Sequence, residues 1–115
     1  MNIDTIQAKL RHFAQERDWE QFHSPKNIAM ALNVEAGELL EHFQWLTEQA
    51  SFDLEPDKQE AVAQEIADVQ VYLCRLADLL KIDIEGAVER KMALNEAKYP
   101  ADRVRGKAKK YTEYR

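Results

Sequence analysis

The sequence predicts an all-α chain, a four-helix-bundle-like subunit. Three observations predict it. Apolar residues recur at spacings of three and four through four long segments, the period of an amphipathic helix. Only 3 Gly and 3 Pro occur in 115 residues, too few for turn-rich β architecture. Each proline stands where a helix would begin or stop, at positions 25, 56 and 100.

The first helix is expected over about Ile3–Arg17, on the stripe Ile3, Ile6, Leu10 and Phe13. Asp4 sits in its first turn, where the helix dipole favours an anion. The connector Asp18-Trp19-Glu20-Gln21-Phe22-His23-Ser24-Pro25 is short and aromatic. Its Trp19, Phe22 and His23 either staple the helix ends over the core or line a pocket. Ser24-Pro25 reads as an N-cap followed by proline at the first helical position, opening a second helix to about Leu46. A polar loop, Thr47–Glu55, follows. Pro56 opens a third helix reaching Leu80. Lys81-Ile82-Asp83 breaks the chain, with Asp83 as the next N-cap. A fourth helix runs from about Ile84 to Lys98 and stops at Tyr99-Pro100, because proline disfavours helix at the residue before it.

The third helix is apolar almost all round between Val69 and Leu76, so it should be buried on several sides. A unit this small cannot bury it alone. Assembly of subunits through this helix is therefore expected. Residues 1–100 read as one domain and 101–115 as a basic tail: Lys98 to Arg115 holds seven basic residues against Asp102 and Glu113.

A formal net charge of −5 disfavours nucleic acid as a partner, although the tail, with Tyr111 and Tyr114, is the one segment suited to it. Cys74 is the only cysteine, which excludes an intrachain disulfide, and it reads as a small core residue. No apolar run approaches the roughly 20 residues that span a bilayer. Together with an N-terminus lacking a signal-peptide pattern, this gives the expectation of a soluble, cytoplasmic protein.

The chemistry-bearing feature is a pair of acidic pairs: Glu35-Ala36-Gly37-Glu38 on the second helix and Glu65-Ile66-Ala67-Asp68 on the third. Residues three apart on a helix are neighbours, so each pair aims two carboxylates the same way. The apolar ladder around the first reads Ile28, Leu32, Ala36, Leu39, Phe43, Leu46. Around the second it reads Val62, Ile66, Val69, Leu73, Leu76, Leu80. Glu35, Glu65 and Asp68 each precede a ladder residue and border the stripe. If the two helices pack, up to four carboxylates converge at a core edge, where repulsion and lost solvation weaken the fold. A hard divalent cation, Mg²⁺ or Mn²⁺, would resolve this, and Mg²⁺ on carboxylates commonly shares its shell with substrate phosphates. The ordinary alternative is solvated acidic faces. On the fourth helix, Lys91 and Asn95 share a face, with Tyr99 beyond. Lys91 either covers a core edge with its stem or aims a cation at phosphate.

Taken together these residues resemble the all-α nucleotide pyrophosphohydrolases of the MazG-like superfamily, and within it the dCTP pyrophosphatase branch. The resemblance rests on the E-x-x-E and E-x-x-D pairs, the connector Arg17–His23, Phe43-Gln44-Trp45, and Lys91-Met92 through Asn95 to Tyr99-Pro100. It spans nearly the whole chain and departs from the branch at the short loop Thr47–Glu55. It implies Mg²⁺-dependent hydrolysis of a nucleoside triphosphate to monophosphate and pyrophosphate by a homotetramer, a dimer of dimers. It implies Glu35, Glu38, Glu65 and Asp68 as metal ligands. Trp19, His23, Trp45, Lys91, Asn95 and Tyr99 become substrate-pocket residues. The base that takes a proton from water stays open between Glu38 and Glu41. A di-iron bundle is disfavoured because the only Glu-x-x-His, Glu20–His23, lies in a connector. A helical protein-interaction module is the non-enzymatic alternative.

Overall fold

The computed structural model describes residues 1–108, and all regular structure in them is helical. In order, the elements are α1 (Ile3–Glu16), a single 3₁₀ turn (Glu20–Phe22), α2 (Pro25–Glu41), α3 (Glu48–Ser51), α4 (Pro56–Leu80), α5 (Ile84–Lys98) and α6 (Ala101–Val104). The tail's Lys109, Lys110, Tyr111, Tyr114 and Arg115 lie outside the described residues. Among the described residues no helix is long and apolar enough to cross a membrane.

Local chemistry accounts for the helix starts. Asn2 Oδ1 accepts from the Thr5 amide, Ser24 Oγ from the Asn27 amide and Thr47 Oγ1 from the Ala50 amide, at 3.0–3.1 Å. Each satisfies one of the orphan amides of a first turn. Pro25 and Pro56 occupy first helical positions as expected. Asp83 is the N-cap of α5 by position, but its side chain makes no capping bond. Lys81 ends α4 in the left-handed region at φ 57°.

Three boundaries differ from the sequence reading. α2 stops at Glu41, not Leu46; the chain leaves it in turns, with the His42 and Phe43 amides bonding three residues back. The polar loop holds a one-turn helix, α3, because Thr47 caps it. A further short helix, α6, forms just after Pro100, inside the segment read as tail.

The chain divides into two compact units, Met1–Lys81 and one that begins at Ile82. In the first, α4 packs against α2 most extensively and against α1 next. Ala14, Ile28, Val62, Cys74 and Ala77 are buried, along with one charged residue, Arg75. Cys74 is a core residue, as the sequence suggested.

The apolar ladder of α4 is rotated relative to expectation. Ile66 is 55% exposed, and Leu73 and Leu80 also face outward. These three lie seven residues apart, on one stripe of the helix. The inward stripe instead runs through Val62, Glu65, Val69 and Tyr72. On α2 the inward residues include Ile28, Leu32, Glu35 and Leu39, while Ala36 is exposed. Glu35 and Glu65 thus stand within the facing stripes rather than at their margins, while Asp68 is exposed. Helices α1 and α2 cover one side of α4, so its 66–73–80 stripe has no cover within this unit.

Candidate active site

The site is built in the first unit, where α2 and α4 face each other. One carboxylate oxygen from each of Glu35, Glu38 and Glu65 lies within 4.8 Å of the others, and all three residues are half-buried. Glu35 Oε2 and Glu65 Oε2 are shielded from solvent and make no hydrogen bond. Two buried, unpartnered carboxylate oxygens are costly in a folded protein.

Glu35 shows that cost. Its carboxyl is pushed from an ordinary 4.5 up to about 7. Burial is the first cause. Glu38 comes next: it accepts a hydrogen bond from protonated Glu35 and repels the ionised form. Glu65 and the charge of Asp68 add to this. A carboxylate cannot donate, so Glu35 is a partner to its neighbours only when it carries a proton. A bound cation would serve the same end without the proton. An all-oxygen set of three acids fits Mg²⁺ or Mn²⁺.

Asp68 is not part of this triad. It is exposed and instead helps wall an adjoining cavity of about 380 Å³. Glu35 and Asp68 share that wall with Leu10, Phe13, Trp19, His23, Val71, Tyr72 and Arg75. The connector reaches the cavity through specific backbone chemistry. Asp18 takes a left-handed φ of 52°, and the Trp19 amide then donates to Ala14 O at 2.9 Å. The following 3₁₀ turn closes with His23 N–H donating to Glu20 O, and Asn27 Nδ2 donates to Phe22 O. Trp19 meets Phe13 edge-on, with ring centroids 5.7 Å apart. The Arg17 guanidinium lies 3.6 Å over the other aromatic, Phe13. This is an aromatic wall with acids at one side.

Of the sequence-derived site residues, Trp19, His23, Glu35 and Asp68 come together at the cavity, and Glu35, Glu38 and Glu65 in the triad. Trp45 does not line the cavity and is 88% exposed. Glu41, the last residue of α2, is exposed and outside the triad. Lys91 and Asn95 are exposed on α5 and Tyr99 is its half-buried C-cap; all three belong to the second unit.

Three contributors were missed. His42 Nε2 stands 3.9 Å from Glu65 Oε1. Seven residues after Glu35, it lies on the same helical face, a signal present in the sequence. Tyr72 was legible in the same way, four after Asp68 and seven after Glu65. Arg75, seven after Asp68 and three after Tyr72, shares that face too, but its place in an apolar run masked it.

Residues 30–114 match the MazG-like family. The chain belongs to the MazG-like family. Curated relatives include dCTP pyrophosphatase 1 of Homo sapiens and of Mus musculus. Each is 42% identical over 113 residues, covering 96% of this chain. The chain spans 66% of the length of those relatives. A crystal structure of a pyrophosphatase from Archaeoglobus fulgidus superposes with a TM-score of 0.80 at 41% identity, covering 84% of this chain and 91% of that one. Within this MazG-like fold the acid triad and the aromatic cavity are adjacent, with Glu35 common to both.

Proposed function

We propose that the protein hydrolyses nucleoside triphosphates to the monophosphate and pyrophosphate, with dCTP or a modified dCTP preferred, in control or house-cleaning of a cytoplasmic nucleotide pool. One observation carries this reading: Glu35 belongs both to a carboxylate triad suited to a hard cation and to the wall of an aromatic cavity. A nucleotide has the matching halves, a flat base and a polyanionic tail. The relatives named dCTP pyrophosphatase support the reaction class and the base.

Mg²⁺, or Mn²⁺ in its place, would be held by Glu35, Glu38 and Glu65, with Asp68 available from the cavity side. Such an ion neutralises phosphate charge and makes bound water more acidic. Trp19 offers a flat face for the base, worth about 1–3 kcal/mol in stacking interactions of this kind. His23 addresses a polar edge of the base. Glu38, inside the triad, is better placed than exposed Glu41 to take the proton from attacking water. Lys91, as a cation for phosphate, and Asn95 and Tyr99, as contacts for base or sugar, are proposed on the resemblance alone; they belong to the second unit. The exposed stripe Ile66–Leu73–Leu80 and exposed Trp45 support assembly of subunits, for which the family resemblance implies a homotetramer built from two dimers.

The test is pyrophosphate release from a panel of ribo- and deoxynucleoside triphosphates, with Mg²⁺ and with EDTA. Metal-dependent release with a matching monophosphate, strongest for dCTP, is the expected result. No release by folded protein from any nucleotide refutes the enzyme and favours a helical interaction module, to which the same exposed stripe is suited.

A further inference from the structure

Arg75 is the buried charge in the first unit, at 6% exposure. The metal-site reading does not use it. Its Nε donates to His23 Nδ1 at 3.1 Å across 52 residues of sequence. A guanidinium cannot accept a hydrogen bond. The atom it meets must therefore carry a lone pair, and the proton of neutral His23 must sit on Nε2. Burial first, and then the Arg75 charge, lower the imidazole's proton affinity, against a smaller opposite effect of Glu20. His23 and Arg75 both line the aromatic cavity, and His23 Nε2 makes no hydrogen bond among the described residues.

Arg75 is itself held. Its Nη1 lies 3.6 Å from Asp78 Oδ2, while Arg11 Nη1 binds Asp78 Oδ1 at 2.6 Å. The chain Arg11–Asp78–Arg75–His23 thus runs from the surface of α1 through α4 to the cavity wall. It has the form of a second layer that fixes a side chain's orientation.

We propose that Arg75 is a positioning residue for base selection: it locks His23 as an Nε2–H donor facing the cavity, so that the site favours a base edge presenting acceptors. This deepens the nucleotide reading and rests on it. Cytosine presents acceptors at both O2 and N3. Uracil shares the O2 acceptor but carries a proton on N3, so an Nε2–H directed at N3 is met by cytosine and opposed by uracil. A site built to hydrogen-bond one pattern rejects its inverse, because the mismatched groups are left unpaired. Freed of Arg75, His23 can take either tautomer and accept from uracil N3–H.

The experiment has two arms on the full chain. The first reads the His23 tautomer by ¹⁵N NMR in nucleotide-free protein. Wild type should show a protonated Nε2 and an unprotonated Nδ1, Arg75→Met a mixture, and Arg75→Lys a return toward wild type. The second compares dCTP with dUTP. Arg75→Met should lower the kcat/KM ratio for dCTP over dUTP by about tenfold, through KM rather than kcat. Arg75→Lys should restore part of it. Arg75→Met keeps the side-chain volume, and Asp78 retains Arg11, so no buried carboxylate is stranded. If Arg75→Met still fails to fold, Asp78→Asn, which loosens Arg75 without removing it, should relax the ratio in the same direction. A wild-type proton on Nδ1, or an unchanged ratio with an altered tautomer, overturns the proposal. Absence of any nucleotide turnover by wild type would instead remove the nucleotide reading, and base selection with it, while the tautomer spectrum still judged the Arg75–His23 lock.

Discussion

Replacing Glu35 with glutamine should strengthen the metal-free fold while weakening metal binding. Glu35 titrates at about 7 in the fold against an ordinary 4.5. A raised carboxyl means that the fold prefers the protonated form. The stability tied to that proton is present in full below about pH 4.5 and is lost as pH rises through 7. At 1.36 kcal/mol per unit, discounted because the residue is only half-buried, the loss at pH 8 is on the order of 1–3 kcal/mol. Glutamine keeps the shape, can donate to Glu38 or Glu65, and never ionises. In EDTA at pH 8, Glu35→Gln should therefore melt above wild type, by about 4 °C per kcal/mol for a domain of this size. At pH 5 the gap should narrow sharply. Adding Mg²⁺ should reverse the order, because an ion that binds the native state stabilises it by RT ln(1 + [L]/Kd) and the variant has lost a ligand. The assay is a set of thermal melts from pH 5 to 8.5, with EDTA and with a Mg²⁺ series. A variant that melts below wild type in EDTA at pH 8, or keeps the whole Mg²⁺ shift, refutes the reasoning.

Three further outcomes follow from the same geometry. The double change Glu65→Gln, Asp68→Asn should abolish metal-dependent pyrophosphate release in the nucleotide panel; intact turnover would remove these acids from the site. Trp19→Ala should raise KM by roughly 5- to 150-fold, the equivalent of 1–3 kcal/mol of lost stacking, with a smaller change in kcat; steady-state kinetics decide it. Ser24→Ala removes the α2 cap bond to Asn27 and should cost about 1 kcal/mol in denaturant unfolding, with the slope against denaturant unchanged.

What could be read in advance divides along a physical line. Features set by local chemistry were legible: the Ser24-Pro25 start, the Pro56 start, the stop before Pro100 and the pairing of acids three apart. Each depends on neighbours in sequence. Features set by register between helices were less so. The ladder through Ile66, Leu73 and Leu80 and the stripe through Val62, Glu65, Val69 and Tyr72 are both apolar enough to bury, and only the docking of α1 and α2 chooses between them. That choice brings Glu65 inward, opposite Glu35, and leaves Asp68 on the cavity wall.

Arg75 marks the same boundary from the other side. In Val71-Tyr72-Leu73-Cys74-Arg75-Leu76 a single cation looks like an interruption of a core helix; sequence offers it Asp78, three residues on, but gives no sign of His23. Burying it is costly unless its donors are met. Here Nε is met by His23, reached only after the left-handed turn at Asp18 folds the connector back, and the charge is opposed by Asp78 at 3.6 Å, already shared with Arg11. A hydrophobic residue at 75 would pack as well without needing either partner. The arginine is worth its desolvation only if something it holds is needed in one orientation. The residue it holds is His23, at the wall of the cavity that also contains Glu35.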